Sequence, residues 1–278
     1  METMPAFASF PPTATVNLLD IPRNDVFFNN RVRRLQGDDA LANYYIDGSW
    51  IPAGKWEPVP SPVYAALTRS QAFSIPYTIA KCRISDADLS ELQQKLQGRR
   101  YGRGFLSPGD PLVESLRQAV ESFATSSVPT VAHVPQAASP GSWTLTCDNE
   151  QPRFRIGLHI DSWEDNELDI RETAMNRVSV NLGPGERYFL FGPLTLRGMH
   201  EFLLKQNSKI LNVNSIRDQF YQLHTAWPTF AVRIRVGEAY LAPTENIVHD
   251  GSTFASTADA THIPIRGLWT PLAANGRE

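Results

Sequence analysis

The stretch Arg153–Phe154–Arg155–Ile156–Gly157–Leu158–His159–Ile160–Asp161 decides how the rest of the chain is read. It reads as a short β-strand that ends by delivering a histidine and an aspartate two residues apart. Side chains at i and i+2 of a strand stand on one face, so His159 and Asp161 can reach a common atom. An imidazole and a carboxylate are two members of the two-histidine, one-carboxylate triad that holds non-heme Fe(II) and leaves positions open for chemistry. The missing member should be a distant histidine, returned by the fold on a neighbouring strand. His249, 88 positions beyond Asp161 and directly after Asn246–Ile247–Val248, is the candidate.

In a chain with six histidines, His-x-Asp alone is a weak signal. The competing reading is a hydrogen-bonded histidine at a strand end, followed by a solvated loop. The order of what comes next strengthens the metal reading. More strands follow, then a strand–turn–strand unit carries His249, and a late strand Thr261–His262–Ile263–Pro264–Ile265–Arg266–Gly267–Leu268–Trp269 carries a single arginine. That order resembles the Fe(II)/2-oxoglutarate-dependent oxygenase superfamily over about residues 150–272. The resemblance implies a mainly β fold with flanking helices, built on a double-stranded β-helix (jelly-roll) core. It makes His159, Asp161 and His249 the metal ligands and the catalytic centre. It also pairs Arg266 with the distal carboxylate of 2-oxoglutarate, which suits a guanidinium because that group binds carboxylate in a two-pronged fork and stays charged. One departure is the longer gap from His249 to Arg266, filled by the Gly/Ser/Thr-rich run between Asp250 and Ala260.

The implied cofactor is Fe(II), with 2-oxoglutarate as cosubstrate and O2 as oxidant. The implied reaction hydroxylates a small molecule, such as an amino acid or a biosynthetic intermediate, with succinate and CO2 as coproducts. Asp161 occupies the position that halogenases of the superfamily leave to halide. Two other readings stand beside this one: a metal-dependent, cupin-like enzyme that does not use 2-oxoglutarate, and a jelly-roll binding module without catalysis. The position of Arg266 relative to the metal separates them.

His262 competes with His249 for the third ligand position. His249 leaves an arginine on the following strand, whereas beyond His262's own strand only Arg277, near the end of the sequence, remains. His262 and Arg266 are four apart and share a strand face, so His262 is expected to line the same pocket and, with Trp163, to touch substrate. His133 has no ligand-like neighbour and is read as structural. Tyr101 and Arg103, in Arg99–Arg100–Tyr101–Gly102–Arg103–Gly104–Phe105, are expected near the pocket mouth. Ser179, Asn181 and Tyr188 are further strand positions able to face a ligand. The acidic run Asp161–Ser162–Trp163–Glu164–Asp165–Asn166–Glu167–Leu168–Asp169 reads first as a solvated loop, and second as a mouth for an amino or guanidino substrate.

Composition narrows the classes. Hydrophobic residues make up 42% and charged residues 20% of 278, enough apolar mass for a packed core. A net charge of −3 offers no general pull toward phosphate backbones, so no nucleic-acid partner is expected. Two cysteines far apart give no disulfide framework, and the start lacks the pattern of a signal peptide; a cytoplasmic location without membrane association is the expectation. The chain is read as one domain over 1–278, in which residues 1–150 brace a metal-binding core at 151–272. Ser85 caps an expected helix carrying Leu89, Leu92 and Leu96. Asp110–Pro111 opens a second, with Leu112, Leu116, Val120 and Phe123 inward. Residues 1–15 are read as an irregular lead-in and 125–150 as a long connection. Oligomeric state is left open.

Overall fold

The alternation in Arg177–Val178–Ser179–Val180–Asn181–Leu182 becomes the strand Asn176–Pro184, the middle of a seven-stranded sheet in the computed structural model. That model describes residues 16–70, 73–163, 167–206 and 212–272. The expected lead-in over 1–15, Glu164 and Asp165 of the acidic run, and Arg277 lie outside the described residues. The 176–184 strand pairs antiparallel with Glu238–Ala242 on one side and Ala260–Gly267 on the other. Val178 lies opposite Leu241 and Ile265, so one parity of all three strands is apolar. That face packs on Leu92, Leu96, Leu112, Leu116 and Val120 of the helices Asp86–Leu96 and Pro111–Glu121. Each such leucine or valine contributes about 1.5–3 kcal/mol by leaving water.

Both helices start where their capping residues stand. Ser85 accepts from the Asp88 amide at 3.0 Å, and Asp110 accepts from the Leu112 amide at 2.8 Å with Pro111 in the first turn. Such caps satisfy amides that have no partner inside the helix. A third cap, Thr195 accepting from Gly198, opens Leu196–Lys205. That helix and Ile216–Leu223 cover the outer face of the second sheet with Met199, Leu203, Ile216, Phe220 and Tyr221.

The second sheet has five strands in the order Ile247–Ser252, Arg187–Thr195, Thr229–Ile234, Val26–Asn29 and Glu57–Pro58. Between 176 and 267 the chain therefore places its first strand in one sheet, the next two in the other, and then alternates. The inner faces of the two sheets meet through Phe189, Phe191, Phe230, Tyr240 and Ala242 at one end of the layer. At the other end the inner positions turn polar, and a cavity opens.

The N-terminal part does more than cover the sheets. Thr78–Arg83 pairs with 238–242, and Val26–Asn29 pairs with 229–234, so each sheet is extended by a strand from before residue 90. The connection over 125–150 also differs from the expected loop. Val131–Ala132 and Gln136–Ala138 add to the outer side of 260–267, and Ala124–Ser126 pairs with Trp269–Pro271. These runs of two or three residues are too short to show a period in the sequence. The strand they join supplies the hydrogen-bonding edge. Among the described residues no helix is long and apolar enough to cross a membrane.

Candidate metal centre

Gly157 fixes the direction of the decisive stretch. Its φ is +70°, and a Cβ there would stand 2.3 Å from the Trp50 carbonyl oxygen, so only glycine lets Arg155–Gly157 lie this close to the Tyr45–Pro52 strand. Beyond it, His159 and His249 exchange both backbone hydrogen bonds, N to O, at 3.0 and 2.7 Å. The segment thus docks on the free edge of the 247–252 strand and sets the two imidazoles side by side, with centroids 4.5 Å apart. The Asp161 amide donates to the Thr244 carbonyl at 3.0 Å. Arg171 donates to the carbonyls of Asp161 and Glu245 and holds the end of the segment in place.

Each imidazole points its Nδ1 back along its own strand: His159 to the Gly157 carbonyl at 2.9 Å, His249 to the Ile247 carbonyl at 3.1 Å. A carbonyl only accepts, so Nδ1 carries the proton in both rings. In the neutral rings both Nε2 lone pairs are then free, and the buried His249 Nε2 has no hydrogen-bond partner. His159 Nε2 is 3.5 Å and His249 Nε2 3.8 Å from the Asp161 carboxylate, and the donor atoms of the three residues all lie within 4.8 Å of one another. A first-row dication about 2.1 Å from each of three mutually perpendicular donors spaces them about 3 Å apart. The two histidine–carboxylate separations lie within about 1 Å of that spacing.

Electrostatics prepare these groups for a cation. Burial raises the Asp161 carboxyl, but Arg177, whose Nη2 lies 2.6 Å from Oδ2, and the two histidines hold it well below the usual carboxylate range. Burial drives the His249 imidazole down to about 3, so it stands neutral and ready to donate a lone pair. Burial acts the same way on His159, yet Asp161 and Asp250 outweigh it and raise the group.

The triad opens on a cavity of about 400 Å³ through Asp161 and His249. Trp163 and His262 line that cavity, as do Tyr101 and Arg103. Arg266 is not among its lining residues: its Nη2 pairs with Glu245 at 2.8 Å, and its guanidinium lies 5.3 Å from the centre of the Trp163 ring. Tyr188 points the other way, into a cluster with Phe27 and Phe254, so it does not face a ligand. Its neighbour Arg187 does. Arg187 is 5% exposed and lines the cavity, its Nε has no hydrogen-bond partner, and among the described residues it forms no ion pair. Gly251 makes room for it, since a Cβ there would stand 2.7 Å from Nη2. Burial lowers the guanidinium to about 10 despite the attraction of Tyr240 and Asp250.

The sequence pattern did not single out Arg177, Arg187 or Tyr240, and His133, read from it as structural, lines the cavity. Arg177 shares the parity of Ser179 and Asn181 and was legible by that rule; Arg187 differs from Tyr188 only in parity, which no pattern marked. No family model matches the chain, and no curated protein matches it. Among solved structures it is similar to the Kdo hydroxylase KdoO, a non-heme Fe(II) alphaketoglutarate-dependent dioxygenase in complex with cobalt(II), at 12% identity and a TM-score of 0.35. The match covers 68% of this chain and 79% of that one.

Proposed function

We propose that this chain is an Fe(II)- and 2-oxoglutarate-dependent dioxygenase that hydroxylates a small molecule, with a double-stranded β-helix as its core. The observation that carries the reading is the convergence of two imidazole Nε2 atoms and one ionised carboxylate at a buried point that opens on a cavity. Two neutral nitrogen donors with one carboxylate form the donor set of open non-heme iron sites. The strand alternation between the two sheets from 176 to 267 supports the core assignment.

In this reading His159, Asp161 and His249 hold the iron. Together with 2-oxoglutarate and O2 the metal supplies the oxidising chemistry, giving succinate, CO2 and a hydroxylated product. The chain's own residues bind and orient. Arg177 keeps Asp161 charged and, through Oδ2, holds the carboxylate in place beside the two histidines. Arg187 is the anchor for the far carboxylate of the cosubstrate, because it is the buried cavity guanidinium that lacks an ion-pair partner among the described residues. Arg266, the expected anchor, is engaged by Glu245 and braces the Trp163 side of the mouth. The cavity volume of about 400 Å³ lies in the range of small-molecule sites and supports that reading.

Incubating the protein with Fe(II), 2-oxoglutarate and O2 should release succinate slowly even without the primary substrate, and His249→Ala and Asp161→Ala should abolish that release. Iron binding by wild type without any succinate would remove 2-oxoglutarate from the reading and favour a cupin-like metal enzyme.

A further inference from the structure

The cavity wall beyond the triad is cationic and otherwise neutral. Arg103, Arg177 and Arg187 line it, and among the described residues Asp161 is the one carboxylate that does. Three guanidiniums against one carboxylate leave two positive charges in excess. A bound dication and a dianionic cosubstrate cancel each other, so the excess persists in the loaded site. Arg177 is engaged by Asp161, and Arg187 is assigned to the cosubstrate, which leaves Arg103 for a further anion. Arg103 lies exposed at the mouth.

Deeper in, His133 and His262 are each 6% exposed, and each has a buried ring nitrogen, Nε2 and Nδ1 respectively, without a hydrogen-bond partner. Both lower their affinity for protons, chiefly through burial and then through the surrounding arginines, His133 to about 4. They stand as neutral imidazoles, able to donate to or accept from a hydroxyl or similar group. Buried polar atoms left without partners are costly unless a ligand or water satisfies them. At the mouth, Phe105 and Trp163 are 51% and 45% exposed, and they pack against His133 with centroids 4.8 and 5.6 Å away. Trp163 lines the cavity and Phe105 meets it edge-to-face, with centroids 5.9 Å apart, so the two form an apolar corner beside the polar wall.

Resting on the oxygenase reading, we propose that the primary substrate is a small oxyanion-bearing molecule. Its carboxylate or phosphate group pairs with Arg103, its polar substituents meet His133 and His262, and its body lies against Phe105 and Trp163. This class is opposite in charge to the amino or guanidino substrate that the acidic run 161–169 suggests. Of that run, Asp161 and Trp163 line the cavity, Asp169 turns away to pair with Arg197, and Glu164 and Asp165 lie outside the described residues.

The test uses protein loaded anaerobically with Fe(II) and 2-oxoglutarate, with the visible band of the iron chelate recorded before any probe is added. Calorimetric titration then compares matched probes that differ in charge: glucuronate, glucose 6-phosphate, glucose and glucosamine, and 3-phenylpropionate, 3-phenylpropanol and 3-phenylpropylamine. The expected result is that an acid binds about tenfold or more tightly than the neutral and amine members of its set, with the two sugar acids telling carboxylate from phosphate. Arg103→Gln should remove that preference and leave the chelate band unchanged. An amine that binds as well as its acid, a set without charge preference, or failure of every acid to bind overturns the proposal. Absence of the chelate band in wild type overturns the underlying oxygenase reading instead.

Discussion

Arg187→Met separates function from stability, because the two should move in opposite directions. Arg187 is buried at 5% exposure without an ion-pair partner among the described residues, and burial lowers its guanidinium from 12.5 to about 10. A drop of that size corresponds to about 3 kcal/mol by which the folded protein disfavours the charged form. Because the folded value lies below the unfolded one, this cost is fully present at neutral pH and is relieved only as pH rises through about 10 toward 12.5. Methionine fills much of the same volume without the charge, so the metal-free protein should gain roughly 1–3 kcal/mol once imperfect packing of the new side chain is subtracted. For a chain of this size that is a rise of roughly 3–10 °C in melting temperature. Affinity for 2-oxoglutarate should fall, since a buried carboxylate left without its partner costs about 2–3 kcal/mol, or roughly 30–150-fold. Arg187→Lys keeps a charge but loses the fork and should lie between. Thermal melts of the metal-free protein and cosubstrate titrations of the anaerobic iron form read the two effects. A destabilised Arg187→Met protein would refute the burial argument, and unchanged 2-oxoglutarate affinity would refute the anchor assignment.

Other expected outcomes test other parts of the structure. Gly157→Ala should destabilise by about 2–4 kcal/mol and weaken Fe(II) binding, because φ +70° and the Trp50 carbonyl 2.3 Å away leave no place for a Cβ; paired denaturant melts and metal titrations check it. Arg177→Gln should let the Asp161 carboxyl rise and lower Fe(II) affinity about 10–100-fold, measurable by competition with a chromogenic chelator. Asp25, buried among Lys81, Arg233 and Arg235, has a carboxyl that burial would raise but that those cations hold down at about 2 instead of 3.8. Its contribution, about 2 kcal/mol, should be complete above pH 3.8 and vanish as pH falls toward 2. Comparing wild type with Asp25→Asn in urea at pH 7 and near pH 2 should show the difference shrinking with acid.

Much of this was readable from the chain because local rules and tertiary structure agree. Ser85 and Asp110 cap the two helices they announce, and the alternation from Arg177 to Leu182 separates a helix-facing row from a polar row. His159 and Asp161 meet because i and i+2 share a strand face, and His249 meets them through a two-way backbone bridge. Where both faces of a strand are buried the rule loses force. Every residue of Arg187–Thr195 is buried, so hydrophobicity could not tell Arg187 from Tyr188 as the side chain that faces the cavity. The pairing of Arg266 with Glu245 spans 21 positions and depends on how two strand ends meet, which no local signal encodes. His133 enters the cavity wall because a strand of two residues pairs with 260–267, a contact too short to leave a pattern.

The most direct test of the proposed iron site is anaerobic titration of the metal-free protein, first with Fe(II) and then with 2-oxoglutarate, while the visible charge-transfer band of the chelate is followed. One iron per chain should bind, and the band should form in wild type, survive in His262→Ala and be lost in His249→Ala. Arg187→Met should need far more 2-oxoglutarate to reach the same band, and Arg266→Gln should need little more than wild type. Iron bound without a band in wild type, or a band that survives His249→Ala, would contradict the assignment of this triad as a 2-oxoglutarate-dependent iron centre.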